Sequence, residues 1–137
     1  MYIVLPNKNL KKMKTIKITY WITTAIVALM MTYSTYAYLT QDAMIEGFHH
    51  LGYPDYFRVE LALATLAGAI LLVIPVTARI KEWVYAGFVI TFISAFIAHS
   101  ASGDPVNYRI MPVIFLVILV VSYVTFHKSN LTNNLKA

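Results

Sequence analysis

Four long apolar stretches, at residues 18–39, 57–74, 83–99 and 110–126, take up most of this 137-residue chain, and nearly every charge falls between them. As helices they would reach about 25–33 Å, the thickness of a bilayer's hydrocarbon core. Backbone amides in lipid have no water to bond, so only helices and closed barrels satisfy them there. Barrel strands alternate apolar and polar residues, whereas these runs are continuously apolar, which selects helices. The sequence therefore predicts an all-α fold, a four-helix transmembrane bundle running antiparallel, up-down-up-down. A basic tail is expected at 1–17, the membrane domain at 18–127 and a second tail at 128–137.

Hydrophobic residues make up 59% of the chain and charged ones only 12%, where soluble domains carry about half and about a quarter. So short a chain holds one domain, without a separate soluble catalytic module. A net charge of +5 could suggest a nucleic-acid partner, but its placement argues for no nucleic acid: Lys8, Lys11, Lys12, Lys14 and Lys17 crowd just before the first span. Absence of cysteine excludes disulfides, thiolate metal sites and thiol relays.

The same lysines fix an expected orientation. Arg79, Lys81, Lys128 and Lys136 share their side of the membrane, and only Arg58 and Arg109 lie on the other. Excess Lys and Arg stay cytoplasmic, so both termini are expected in the cytoplasm and the protein in the inner (cytoplasmic) membrane. Aromatic belts are expected at both interfaces, with Tyr20, Trp21, Trp83, Tyr85 and Tyr123 inside and Tyr33, Tyr36, Tyr38, Tyr53, Tyr56 and Tyr108 outside. The first span is too long for a signal peptide, and bulky tyrosines surround its nearest cleavage-like site, Thr35-Tyr36-Ala37. Met13 offers a tidier start, so residues 1–12 are expected to be an over-extended start or a loose tail.

In lipid, helices associate by close backbone approach, which favours small residues. Ala64 and Gly68 in the second span, with Gly87 in the third, predict those two spans at the bundle's centre. The bulky fourth span is expected to face lipid or a neighbouring subunit, with Pro112 in its first turn, where a missing N–H is tolerated. Residues 75–82 form a short link, Gly103-Asp104-Pro105 a turn, and residues 43–50 a short re-entrant or surface helix.

Most ionisable residues that could do chemistry fall at the outer ends of the spans: Glu46, His49, His50, Asp55, Arg58, Glu60, His99, Asp104 and Arg109. A carboxylate such as Glu60, about one turn inside its span, is costly unless paired. Glu60, His99, Asp104 and Arg109, with Arg58 and His50 nearby, are therefore expected to bound an outer polar pocket. No metal is expected there, because adjacent histidines diverge on a helix and no HxxxH or HExxH spacing occurs. No nucleophile–base pair or phosphate loop is visible, so any catalytic residue is unknown. Glu82, beside Lys81, suits a helix N-terminus and could clasp Arg79 or the first-span lysines.

Four blocks resemble the DoxX-like family of small four-helix membrane proteins. They are His50-Leu51-Gly52-Tyr53-Pro54-Asp55-Tyr56-Phe57, Leu66-Ala67-Gly68-Ala69-Ile70-Leu71-Leu72, Arg79-Ile80-Lys81-Glu82-Trp83-Val84-Tyr85-Ala86-Gly87-Phe88 and Ala98-His99-Ser100-Ala101-Ser102-Gly103-Asp104. The third is similar to the family's K-E-W-A-Y-A-G-F signature and the fourth to its S-H-x-x-x-G-D ending. Many relatives carry lysine where this chain has Thr65. The resemblance implies a membrane subunit, since the namesakes belong to an archaeal thiosulfate:quinone oxidoreductase and other relatives serve as membrane partners. The expected function is an accessory membrane subunit holding a lipid, a quinone or a partner segment at the outer pocket. The alternatives are a quinone-linked oxidoreductase subunit and a structural assembly partner. Expected partners are the lipid bilayer, another membrane protein or a second copy of the chain in a dimer.

Overall fold

The computed structural model describes residues 6–134. Expectations for residues 1–5 and for 135–137, Lys136 included, lie outside the described residues. Five helices follow in order among them: α1 (Asn7–Thr40), α2 (Asp42–His50), α3 (Asp55–Val73), α4 (Ala78–Ala101) and α5 (Val106–Asn134). All but α2 are long and apolar enough to cross a membrane. The predicted four-helix bundle is therefore present, with α2 as the short helix expected after the first span.

Each long helix runs beyond its apolar stretch, because caps and not hydropathy end helices. α1 starts at Asn7, so residues 7–17 of the expected basic tail are helical. The amides of Asn9 and Leu10 turn back to the Pro6 carbonyl. With 34 residues the helix is about 51 Å long, and the added turns carry the lysines. α5 starts at Val106, so Pro112 is its seventh residue and sits beyond the first turn. Its missing N–H leaves the Tyr108 carbonyl without the usual helical donor. α4 starts at Thr77, whose hydroxyl accepts the Ile80 amide at 3.5 Å, as an N-cap threonine does.

Links of four residues, 74–77 and 102–105, force α3, α4 and α5 into alternating directions. The helices form a square in which α1 packs on α3 and α5, and α4 packs closely on α5 but only thinly on α3. The core is built from Val27, Leu72 and Leu119, with a run of rings from Tyr20, Tyr85, Phe88, Phe92 and Phe126. Inside it, the Ser122 hydroxyl bonds both Thr24 Oγ1 and Tyr85 OH at 2.8 Å, joining α1, α4 and α5. Such interhelical bonds substitute for the hydrophobic effect, which has no force between helices in lipid.

This arrangement corrects three packing expectations. The second and third spans, α3 and α4, form the loosest side of the square and not its centre. Phe88 explains why: its ring lies so close to Gly68 that a Cβ there would be 2.7 Å from Cζ. Gly68 thus receives a ring instead of a backbone, while Ala64 is exposed and Gly87 has nothing within 4 Å of its missing Cβ. The fourth span, α5, is no lipid-side appendage, since Leu119, Ser122 and Phe126 are buried between α1 and α4. In the belt expected at the lysine end, Tyr20 and Tyr85 are core residues, whereas Trp21 and Trp83 do stand exposed.

Candidate functional site

Two glycines shape the rim where α2 meets the end of α4. Gly52 (φ +83°) and Gly103 (φ +71°) are the two residues with positive φ among those described. At Gly103 the chain closes a Schellman turn: Gly103 N–H donates to Ser100 O, and Asp104 N–H to His99 O at 3.0 Å. At Gly52 the same pair of bonds runs from Gly52 to His49 O and from Tyr53 to Phe48 O. Only glycine enters this backbone region without strain, and a proline follows two residues later in each case.

The second turn brings Asp104 back over the last turn of α4, beside His99. Asp104 Oδ2 lies 2.6 Å from His99 Nδ1, and Oδ1 lies 2.8 Å from His50 Nε2 at the end of α2. One carboxylate thus joins α2 to the α4–α5 turn through two imidazoles. The bond from His99, then that from His50, holds the Asp104 carboxyl below its ordinary 3.8. An ionised carboxylate only accepts, so Nδ1 of His99 donates to it, and in the neutral form of the ring Nε2 is the acceptor.

Beneath this carboxylate lies a cavity of about 750 Å³. Its walls are mainly apolar or aromatic, with Tyr38, Phe48, Tyr53, Phe57 and Tyr108 prominent, while Glu46, His50, His99 and Asp104 are the ionisable groups that line it. His99 and Tyr108 also border a smaller interior cavity of about 190 Å³, which Thr65 lines. That threonine is buried in the bundle.

The expected constellation is therefore only partly assembled. His50, His99 and Asp104 converge. Glu60 does not join them: it is exposed on the outward stripe of α3 with Tyr56 and Leu63, away from the cavity wall. Helix rotation, which spacing leaves open, decides this. Arg58 also stays outside the cavity. It donates to the Tyr38 carbonyl at the end of α1 and, at 3.3 Å, to Asp55. Arg109 is half-buried on α5, and its Nε has no hydrogen-bond partner among the described residues. His49 pairs with Asp55 at 3.1 Å. No group of three or more His, Asp or Glu among the described residues is placed to hold a metal ion.

The opposite end of the bundle holds groups that hydropathy had assigned to loops. Lys81 is buried, its Nζ donating to Leu72 O at 2.8 Å and to Tyr20 OH at 3.1 Å. The same ammonium stands 5.8 Å from the ring centres of Tyr20 and Phe126, a cation–π distance. Glu82 faces His127 at 3.6 Å, and neither Arg79 nor the α1 lysines. The sequence signal for Lys81 was its place among aromatics, in Lys81-Glu82-Trp83-Val84-Tyr85, a setting unlike that of a solvated loop charge.

A model described as the DoxX-like family matches residues 22–122, from the first span to the fourth and across the whole rim. Searches of curated proteins and of solved structures return no significant match.

Proposed function

The chain belongs to the DoxX-like family of membrane proteins, and from that premise we propose that it is an accessory membrane subunit whose rim cavity binds an amphipathic molecule, a lipid or a quinone. The observation that carries this reading is the cavity itself. An apolar, aromatic-walled space of about 750 Å³ ends in His50, His99 and Asp104, the usual form of a site that buries a greasy body and orients a polar head. His99 Nε2 accepts a hydroxyl from that head, and Asp104 fixes the ring for the task. On this reading the rim faces away from the cytoplasm, in the cytoplasmic membrane.

The Asp104–His99 pair also favours a second reading, a subunit of a quinone-linked oxidoreductase. An imidazole backed by a carboxylate takes the proton of a hydroxyl and stabilises the resulting charge. Under that reading a quinol would give up its two electrons to a partner and its two protons, one to His99 and the other to solvent at the rim. A purely structural assembly partner, docking through α5, is the third.

Native mass spectrometry of gently solubilised protein, followed by extraction and an ultraviolet spectrum, separates the three. A co-purifying amphipath that is lost in His99→Ala, with helicity unchanged, supports the proposal; a redox-active ring in that extract supports the second reading. Protein that carries no small molecule, or equal amounts in wild type and His99→Ala, overturns the proposal.

A further inference from the structure

We infer that the open seam between α3 and α4 is the tail site of a single-chain amphipath whose head occupies the rim cavity, an inference that rests on the reading above. The seam is a groove of about 380 Å³. Leu61 and Thr91 belong to its walls and equally to those of the rim cavity, so the two spaces adjoin. From His99 at the polar end to Trp83 at the far end, α4 rises about 24 Å.

The seam exists for reasons already described. Phe88 sits on Gly68 and keeps the two backbones apart, while Ala64 and Gly87 put no bulk into the gap. The Thr91 hydroxyl is turned back onto Gly87 O at 2.9 Å, and apart from Thr65 and Thr91 the groove is lined by apolar residues. The groove runs along α4 from Ile80 to Thr91, a rise of roughly 16 Å, and a narrow space of about 380 Å³ over that length suits one extended hydrocarbon chain, a monoacyl or prenyl tail.

Moving a tail from lipid into this seam gains no hydrophobic free energy, because the bilayer is just as apolar. What holds it is dispersion contact along the groove together with the anchored head. Tail position is therefore a better readout than affinity. Trp83 stands exposed at the end of the seam, and Trp21 is the chain's other tryptophan. In a Trp21→Phe background, bromine at a tail's end quenches Trp83 on contact.

The experiment uses the full chain in lipid nanodiscs with three probes at equal mole fraction: a tail-brominated monoacylglycerol, a tail-brominated alkylphenol and a brominated alkane with no head. At least one headed probe is expected to quench Trp83 about threefold more than the alkane, the scale of a packing preference in lipid. The monoacylglycerol reports a lipid head, the alkylphenol a ring head of the quinol type. Gly87→Leu fills the seam, and since its Cβ meets nothing within 4 Å the fold survives. It is expected to abolish the excess quenching while a short-tailed phenol or monoacylglycerol still raises the melting temperature in a His99-dependent way. Excess quenching that persists in Gly87→Leu, or that never exceeds the alkane's although the short probes bind, overturns the tail site and leaves the rim reading standing. If no short probe stabilises the protein and His99→Ala changes nothing, the rim reading falls and the tail site with it.

Discussion

Three basic residues occupy the fourth position of their helices: Arg58 in α3, Lys81 in α4 and Arg109 in α5. The first two reach a carbonyl at the end of the preceding long helix, Tyr38 O for Arg58 and Leu72 O for Lys81. Last-turn carbonyls lack helical donors and carry the negative end of the dipole, so a cation there satisfies both needs. At the end of α4 the Gly103 turn supplies backbone donors instead, and Arg109 is not needed for that task. Lys81→Met strips the buried Leu72 carbonyl and Tyr20 hydroxyl of their partner. Equilibrium unfolding in mixed micelles should show a loss of about 1–3 kcal/mol; an unchanged transition would reduce the lysine to a bystander. Asp104 makes a prediction about pH. Its carboxyl is held below its ordinary value by His99 and then His50, so the ionised form stabilises the fold above that value, and the contribution is lost as pH falls through the depressed one. Acid titration of ellipticity should therefore show wild type losing stability only below about pH 4, with Asp104→Asn less stable near neutrality and flatter across the acid range. Equal acid slopes for the two proteins would show that this carboxylate is uncoupled from folding.

At the scale of elements, the apolar runs located all four long helices but not their ends. Helices stop where backbone groups find other partners, and those stops lie in Thr77, Gly52 and Gly103, outside any hydrophobic window. Gly103 has a double role because its left-handed backbone both ends α4 and turns Asp104 onto His99. Gly103→Ala should cost about 1–2 kcal/mol and lower occupancy of the rim cavity, measured by thermal unfolding and by bound amphipath. Gly47→Ala is the matching control: it lies within α2, where an added Cβ meets nothing within 4 Å. It should raise stability by about 0.4–1 kcal/mol. Two alanines that behave alike, both neutral or both stabilising, would mean that the turn has been misassigned. The two glycine turns were visible in outline in Gly103-Asp104-Pro105, whereas the pairing of Asp104 with a histidine of a different helix was not.

At the scale of the whole molecule, a square of four helices with one loose side leaves a lateral opening from the rim into the surrounding lipid. The lysines along α1 predict its orientation, and the chain's lack of cysteine makes that prediction directly testable. Ala101→Cys and Ala78→Cys place exposed thiols at opposite ends of α4. A membrane-impermeant maleimide added to intact cells should label the first, and the second only after permeabilisation. The reverse pattern would turn the rim toward the cytoplasm.

Solvent identity was written in the chain from the start. Runs of apolar residues this long can satisfy their backbones only as helices in lipid, and the few-residue links between them dictate antiparallel neighbours. Which faces meet was another matter. Small residues suggested where backbones could approach, yet Phe88 took the space at Gly68 and loosened that seam. Rotation about each helix axis turned Glu60 outward, drew Lys81 into the core and set His50 and His99 on one carboxylate. Residue spacing constrains depth in the membrane, whereas azimuth is settled only when all the side chains compete for the same interior.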